Sequence, residues 1–380
     1  MWPGTFWLHG LRQMHRSKLL LSLIIGSACS VAALYLAFRN VPLRALGAYF
    51  LSIDPLWTVV SACLLLLNFM VRIYRWQLIL AAGGASVKFR EAFHPLMIGF
   101  MMNCILPGRV GEIARPVILK KCAGVAFGTG LATVATERAF DALILVALFA
   151  WTMAGAPIDP AFHLDVGHIV LNRDTLLALG KGTAELCALL IAGIVFVGVD
   201  ASRNWLIRMI RTVPGWLPAA MAARIEKFLV NPLVRLIEHV AEGFQLVKSP
   251  ARLVQCLLLS ILVWAITLLS YYAMALGSPG IHLGLREIAV VMTIICFVIA
   301  IPSVPGYWGI WEAGGVFALS LFGVGQQEAA GFTLVNHAVQ MMPVILVGVG
   351  SAMVTGINIV HVSREAQKQE DPEPEKHPSC

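Results

Sequence analysis

Three groups of ionisable residues lie inside apolar sequence, where a charged side chain is expensive and usually faces a cavity or another charge. In the first, Arg109, Glu112 and Arg115 follow a Pro107-Gly108 break. Glu112 and Arg115 are three apart and share one helix face. Guanidinium groups there suit a phosphate, which a fork of N–H donors grips at two oxygens. The competing reading is a Glu–Arg pair that merely pins the segment. The second group is Thr133, Glu137 and Asp141, a stripe at four-residue steps, with Arg138 adjacent. It could line a polar path for a headgroup, take up a proton, or hold helices together as a salt-bridge cluster. In the third, Glu312 follows the break Pro305-Gly306-Tyr307-Trp308-Gly309, and His337 sits between Asn336 and Gln340 on a late apolar run. A lone histidine in a helix is also a common packing and hydrogen-bonding residue. Glu91 and His94 read as interfacial.

The elements that position these residues are membrane helices. The chain has 380 residues, of which 58% are hydrophobic and 13% charged, with a mean hydropathy of +0.80. A soluble domain carries about 25% charged residues. A bilayer core needs about 20 apolar residues per helix, and several blocks meet that length. Spans are expected at 19–38, 56–74, 125–155, 183–199, 253–276 and 331–357. Shorter apolar runs at 92–106, 287–301 and 316–324 border the two Gly/Pro breaks. Arg72-Ile73-Tyr74-Arg75 reads as the cytoplasmic end of the second span. Residues 157–181 read as a mixed polar loop. Residues 200–252 are basic, with an amphipathic period over 225–244 interrupted at Asn231-Pro232. They are expected to lie along the cytoplasmic interface.

The net charge of +7 falls between apolar spans, so anionic lipid headgroups rather than nucleic acid are the expected partner. The basic segments place both termini, 72–90 and 200–252 in the cytoplasm, and 39–55 and 157–181 outside. That arrangement requires 92–121 and 287–325 to enter and leave from opposite sides, as two oppositely oriented re-entrant hairpins. Pro107, Gly108 and Gly111 would break the first, and Pro305, Gly306 and Gly309 the second. The shared P-G-x-x-G, the Glu112/Glu312 correspondence and the offset of Thr133 and Glu137 to Thr333 and His337 support an inverted repeat. The expected fold is therefore an all-α polytopic bundle over 1–362 with a disordered tail at 363–380. The eight cysteines include no C-x-x-C pair, and no metal-ligand spacing, nucleophile elbow or nucleotide loop is present. No catalytic residue, metal or cofactor is assigned.

Three blocks carry a family resemblance. Asn103-Cys104-Ile105-Leu106-Pro107-Gly108-Arg109-Val110-Gly111-Glu112-Ile113-Ala114-Arg115-Pro116, Ala132-Thr133-Val134-Ala135-Thr136-Glu137-Arg138-Ala139-Phe140-Asp141 and Pro302-Ser303-Val304-Pro305-Gly306-Tyr307-Trp308-Gly309-Ile310-Trp311-Glu312 together resemble the flippase-like family, also called the lysylphosphatidylglycerol synthase transmembrane region family. The similarity covers roughly residues 15–360. It implies two re-entrant hairpins around a lipid-handling cavity, and movement of lipids or lipid-linked molecules between leaflets. Relatives that lysylate lipid carry a soluble aminoacyl-transferase domain with no counterpart within these residues, so lysine transfer is not carried over. The expectation is a flippase-like transporter of the bacterial inner membrane. Arg109, Glu112, Arg115, Glu137, Arg138, Asp141, Glu312 and His337 would handle the headgroup in a midplane cavity. Two alternatives stand beside it: a membrane enzyme acting on a lipid or polyprenyl phosphate, and a non-transporting partner of lipid-biosynthesis enzymes. Association as a homodimer is compatible with all three.

Overall fold

A computed structural model describes residues 42–106, 109–153, 163–166, 169–172, 200–212, 249–300 and 305–370, with isolated positions at 34–35 and between 178 and 234. The expected span at 19–38, most of that at 183–199, most of the amphipathic stretch 225–244, Pro107 and Gly108, and the tail from 371 lie outside the described residues.

The described residues are overwhelmingly helical. A short helix α1 (Leu43–Ser52) precedes α2 (Pro55–Ala82). The Asp54 carboxylate accepts the Leu56 N–H at 2.8 Å with Pro55 in the first turn, a capping arrangement in which the fixed φ of proline suits the helix start. Helices α3 (Phe89–Ile105) and α4 (Val110–Ala123) form a short hairpin, followed by the long α5 (Phe127–Met153). Two four-residue strands, β1 (His163–Val166) and β2 (Ile169–Asn172), pair antiparallel inside the stretch read as a loop. Helix α6 (Asp200–Thr212) is amphipathic and buries none of its residues. After it come α7 (Pro250–Leu276) and α8 (Leu285–Ala300). A single 3₁₀ turn at Pro305–Tyr307 then leads into α9 (Ile310–Ser320), α10 (Gln326–Thr355) and α11 (Ile359–Glu370).

Three of these helices, α2, α7 and α10, are long and apolar enough to cross a membrane. They expose large hydrophobic side chains outward, among them Leu56, Leu67, Leu258, Ile261, Leu346 and Met353. A face of that composition is costly in water and costs nothing in lipid. Helix α5 has the length, at 27 residues, but carries Glu137, Arg138 and Asp141 in its middle.

Helices α2 and α7 run antiparallel along a seam of polar pairs. Ser61 meets Ser270 at 3.0 Å, the Asn68 amide donates to Thr267 Oγ1 at 2.9 Å, and Arg75 reaches Ser260 at 2.9 Å. One apolar core gathers α7, α8, α9, the start of α10 and the C-terminal half of α5 around Tyr271, Met274, Ile295 and Phe332. A second joins α2 to α3 through Phe69, Trp76, Leu96 and Met97.

Two expectations are corrected here. Helix α2 does not end near Arg72 but continues to Ala82, so Arg72 and Arg75 lie inside the bundle. Residues 363–370, expected to be disordered, belong to α11. That helix packs on α4, burying Val362 and Ala366.

Candidate functional site

The α3–α4 hairpin closes tightly because two glycines face each other. A methyl group at Gly111 would strike the Gly99 carbonyl, and one at Gly99 would strike the stem of Arg115. The Asn103 carboxamide oxygen accepts the Gly111 N–H at 2.8 Å. Gly111, expected at the break, therefore sits in the first turn of α4 and serves the close approach. The change of direction falls next to it, at Arg109, which holds a left-handed backbone (φ 56°).

Past this contact, Arg115 runs beneath α3 to α5. Its guanidinium meets Glu137 at 2.8 Å and lies 4.3 Å from the centre of the Trp76 ring. Glu112, the residue three before it, pairs instead with Arg109 at 3.6 Å. The Glu112–Arg115 pair of the competing reading is thus replaced by two separate ones.

The stripe on α5 does form, and it faces α2. Thr133 accepts the Trp76 indole N–H at 3.1 Å. Glu137 is fully buried and is approached by Arg138 at 2.6 Å, Arg115 at 2.8 Å and Arg75 at 3.4 Å. Asp141 is approached by Arg75 at 2.7 Å, Arg138 at 3.0 Å and Arg72 at 3.1 Å. The Phe100 ring has the Arg72, Arg115 and Arg138 guanidinium carbons each 5.6 Å from its centre, a placement in which the ring face attracts the cations. Four guanidinium groups thus share two carboxylates, a local excess of 4 − 2 = 2 positive charges. The Nε atoms of Arg75, Arg115 and Arg138 are buried without a hydrogen-bond acceptor.

Access to this cluster is graded. The side chains of Arg75 and Arg115 are essentially closed off, whereas Arg138 is 30% exposed and Arg72 11%. Near Arg138 lie Glu112 and Tyr307, within electrostatic reach of one another and of Arg109. Arg109 donates to the Ile299 carbonyl at 3.1 Å, and Gly306 approaches the Cys104 carbonyl. Residues flanking the two breaks, Cys104 and Arg109 on one side and Ile299 and Gly306 on the other, therefore touch beside Arg138.

The second-half residues form a separate group. One Glu312 oxygen accepts the Gly309 N–H at 2.7 Å; the other lies 2.6 Å from His337 Nδ1. The imidazole stacks on Trp311 (centroids 4.6 Å apart, planes 6°) and packs against Trp308 at 4.5 Å. Gly306, Tyr307 and Gly309 all have positive φ, which bends the chain sharply enough to bring both tryptophans onto the ring. Pro305 starts the turn. Sequence reasoning matched Glu312 to Glu112 and His337 to Glu137 through the repeat but did not pair them with each other; the structure joins them directly. It also adds Arg72, Arg75, Asn68 and Ser260, which sequence reasoning missed. For Asn68, Arg72 and Arg75 the signal available was their four- and three-residue spacing on α2, obscured because two arginines at the end of an apolar run also mark a cytoplasmic boundary; Ser260 lies on α7.

Long apolar helices wrapped around buried charge define a helical membrane protein with a polar interior. The chain belongs to the lysylphosphatidylglycerol synthase TM region family, whose match spans residues 20–348. Two archaeal proteins are similar at low identity. One is the "Glycosyltransferase AglD" of Haloferax volcanii, 23% identical over 85% of this chain and 52% of that protein. The other is the "UPF0104 membrane protein" of Methanothermobacter thermautotrophicus, 22% identical over 80% of this chain and 87% of that protein. The chain spans about half the length of the glycosyltransferase.

Proposed function

We propose that this protein carries an anionic lipid or lipid-linked intermediate between leaflets, binding its phosphate at the arginine cluster. The supporting observation is the surplus of two positive charges in the interior. Buried charge is tolerated when it is paired and hydrogen-bonded. Here the carboxylates are too few, the Nε donors of Arg75, Arg115 and Arg138 lack acceptors, and Arg138 is the most exposed of the four arginines. A phosphate entering beside Arg138 would supply the missing negative charge and acceptors for guanidinium N–H groups. Arg138 and Arg72 then make first contact, and Arg75 and Arg115 set the depth of the field. Arg109, Glu112 and Tyr307 line the approach, where like charge and opposite charge alternate.

In this reading the two hairpins are re-entrant, enter from opposite faces and meet at their breaks, an inverted-repeat arrangement with the binding site near the midplane. The protein sits in the bacterial inner membrane as a multi-pass protein over 1–362, with both termini cytoplasmic and the basic stretch 200–252 on anionic headgroups. A homodimer and a complex with lipid-biosynthesis enzymes are both compatible with this placement.

The test is a proteoliposome assay with fluorescent phosphatidylglycerol and phosphatidylcholine, read by dithionite quenching of the outer leaflet. Wild type is expected to move phosphatidylglycerol faster than the zwitterionic lipid, and Arg138→Ala to lose that preference while remaining folded. Equal rates for both lipids in wild type and variant overturn the reading. A second reading is favoured by the name of the archaeal relative: a membrane part that presents a polyprenyl-phosphate-linked sugar to an enzyme. There, a purified chain would bind the polyprenyl phosphate yet leave phosphatidylglycerol unmoved.

A further inference from the structure

We infer that His337, held by Glu312, is a proton-binding site that couples movement of the anion to the proton gradient; the coupling rests on the transport reading above, the proton site does not. His337 Nδ1 and Glu312 Oε1 are 2.6 Å apart, both side chains are at most 1% exposed, and Nε2 is buried without a hydrogen-bond partner. With the carboxylate ionised and the ring neutral, the pair holds one negative charge in an apolar surrounding, which is unfavourable. A proton placed on Nε2 makes the pair neutral and turns the ring into an imidazolium stacked on the Trp311 face, with the tilted Trp308 ring beside it, a setting in which cations are attracted. Among the described residues no group of three His, Cys, Asp or Glu side chains gathers here to hold a metal cation.

Among the described residues no charge is paired with the Glu312–His337 pair. From α7 the facing titratable group is Tyr271, reached across Trp311 at 6.3 Å. From α8 it is Cys296, which neighbours Tyr271, and from α3 it is Cys104, beside Gly306. From α1, Tyr49 packs on Gly331 and donates to the Pro279 carbonyl. The charges of α2 turn to Asp141 and Glu137 instead. Trp308 covers one face of the ring and is itself 40% exposed, so its displacement opens the imidazole to the outside.

Helix α7 links the two sites: Ser260 bonds Arg75, and Tyr271 stacks on Trp311. Eleven residues of helix rise place them about 16 Å apart along the bundle. One site lacks negative charge and the other lacks positive charge. Loading both with an anion and a proton removes both imbalances.

Two measurements on the full chain separate the claims. Tryptophan emission is followed from pH 8 to pH 5 in detergent, for wild type, His337→Gln and Glu312→Gln, each checked for monodispersity. An imidazolium quenches an adjacent indole, so acid quenching is expected in wild type and should be lost in His337→Gln. The same quenching in that variant, or quenching that follows sodium rather than pH, overturns the proton site. Phosphatidylglycerol distribution is then measured under a one-unit pH gradient. One coupled proton shifts the leaflet ratio by up to about tenfold; the shift should vanish in His337→Gln. An undiminished shift in His337→Gln overturns the coupling. A wild type that moves no lipid at any gradient overturns coupling and transport together, and the emission measurement still decides the proton site.

Discussion

Replacing Glu137 by Gln tests the logic of the charged interior most directly. Glu137 is within 3.4 Å of three guanidinium groups. The amide keeps the shape but removes the charge, and its NH₂ group turns a donor toward arginine N–H groups. The cluster goes from four cations over two anions to four over one. Breaking a buried ion pair by removing one partner costs on the order of 3–5 kcal/mol, because the remaining charge is left uncompensated. The cation–π contacts with Phe100 and Trp76 persist, so the lower half of that range is expected. At about 2–4 °C per kcal/mol, the melting temperature of purified protein in detergent should fall by roughly 6–16 °C. Deleting a cation as well should return much of it: Arg115→Met, which keeps the apolar stem against Trp76, restores the count to three over one. Adding phosphatidylglycerol at about 100 times its dissociation constant should stabilise wild type by about 2.7 kcal/mol, and Glu137→Gln by at least as much, since its deficit of negative charge is larger. A Glu137→Gln protein that melts with wild type refutes the view that these carboxylates are what makes the buried arginines tolerable. A double variant that melts below both single variants refutes the charge-counting argument.

Arg138→Lys is expected to retain charge but weaken phosphatidylglycerol binding about tenfold or more in a lipid-competition assay, because a lysine cannot bridge Glu137 and Asp141 while presenting a planar fork. Gly111→Ala should destabilise by about 1–3 kcal/mol, as overpacking does, since the added methyl meets the Gly99 backbone rather than a flexible side chain; a melting temperature equal to wild type would show that α3 and α4 are free to separate. Lys121→Ala should change stability by less than about 1 kcal/mol, because the Lys121–Glu365 pair at 2.6 Å is 43% and 37% exposed. A large loss in thermal melting would mean that α11 clamps the hairpin through that pair instead of through Val362 and Ala366.

The helical, membrane-protein character was legible in the sequence because composition and block length decide it, and the spans read at 56–74, 253–276 and 331–357 overlap α2, α7 and α10, although α2 runs on to Ala82. The stripe Thr133, Glu137 and Asp141 was legible too, because four-residue spacing on one helix needs no tertiary information. What failed was pairing across helices. Glu112 and Arg115 are neighbours on one face, so local geometry favours their pairing, yet Arg115 spends its charge on Glu137 and leaves Glu112 to Arg109. The reason lies in Gly99, Gly111 and Asn103: they bring α3 so close that the Arg115 stem has one route, toward α5. Arg72 and Arg75 were misread for a related reason. Arginines that end an apolar run mark a membrane boundary in most chains, and their inward direction becomes visible only when Asp141 and Ser260 are placed opposite them.

The same comparison explains why the two halves differ chemically despite their similar spacing. In the first half, the helix after the break sends a cation, Arg115, to a carboxylate on the next long helix. In the second, it sends a carboxylate, Glu312, to a histidine at the corresponding position of the next long helix. In both halves the helix after the break is cross-linked to the next long helix, and the polarity of the cross-link is reversed. Two copies of one polarity would leave charge of the same sign at both sites, and loading both would add like charge to the interior. Under the proposed transport, opposite polarities would let a negative and a positive solute neutralise the bundle together, which would lower the cost of passing either through the apolar layer.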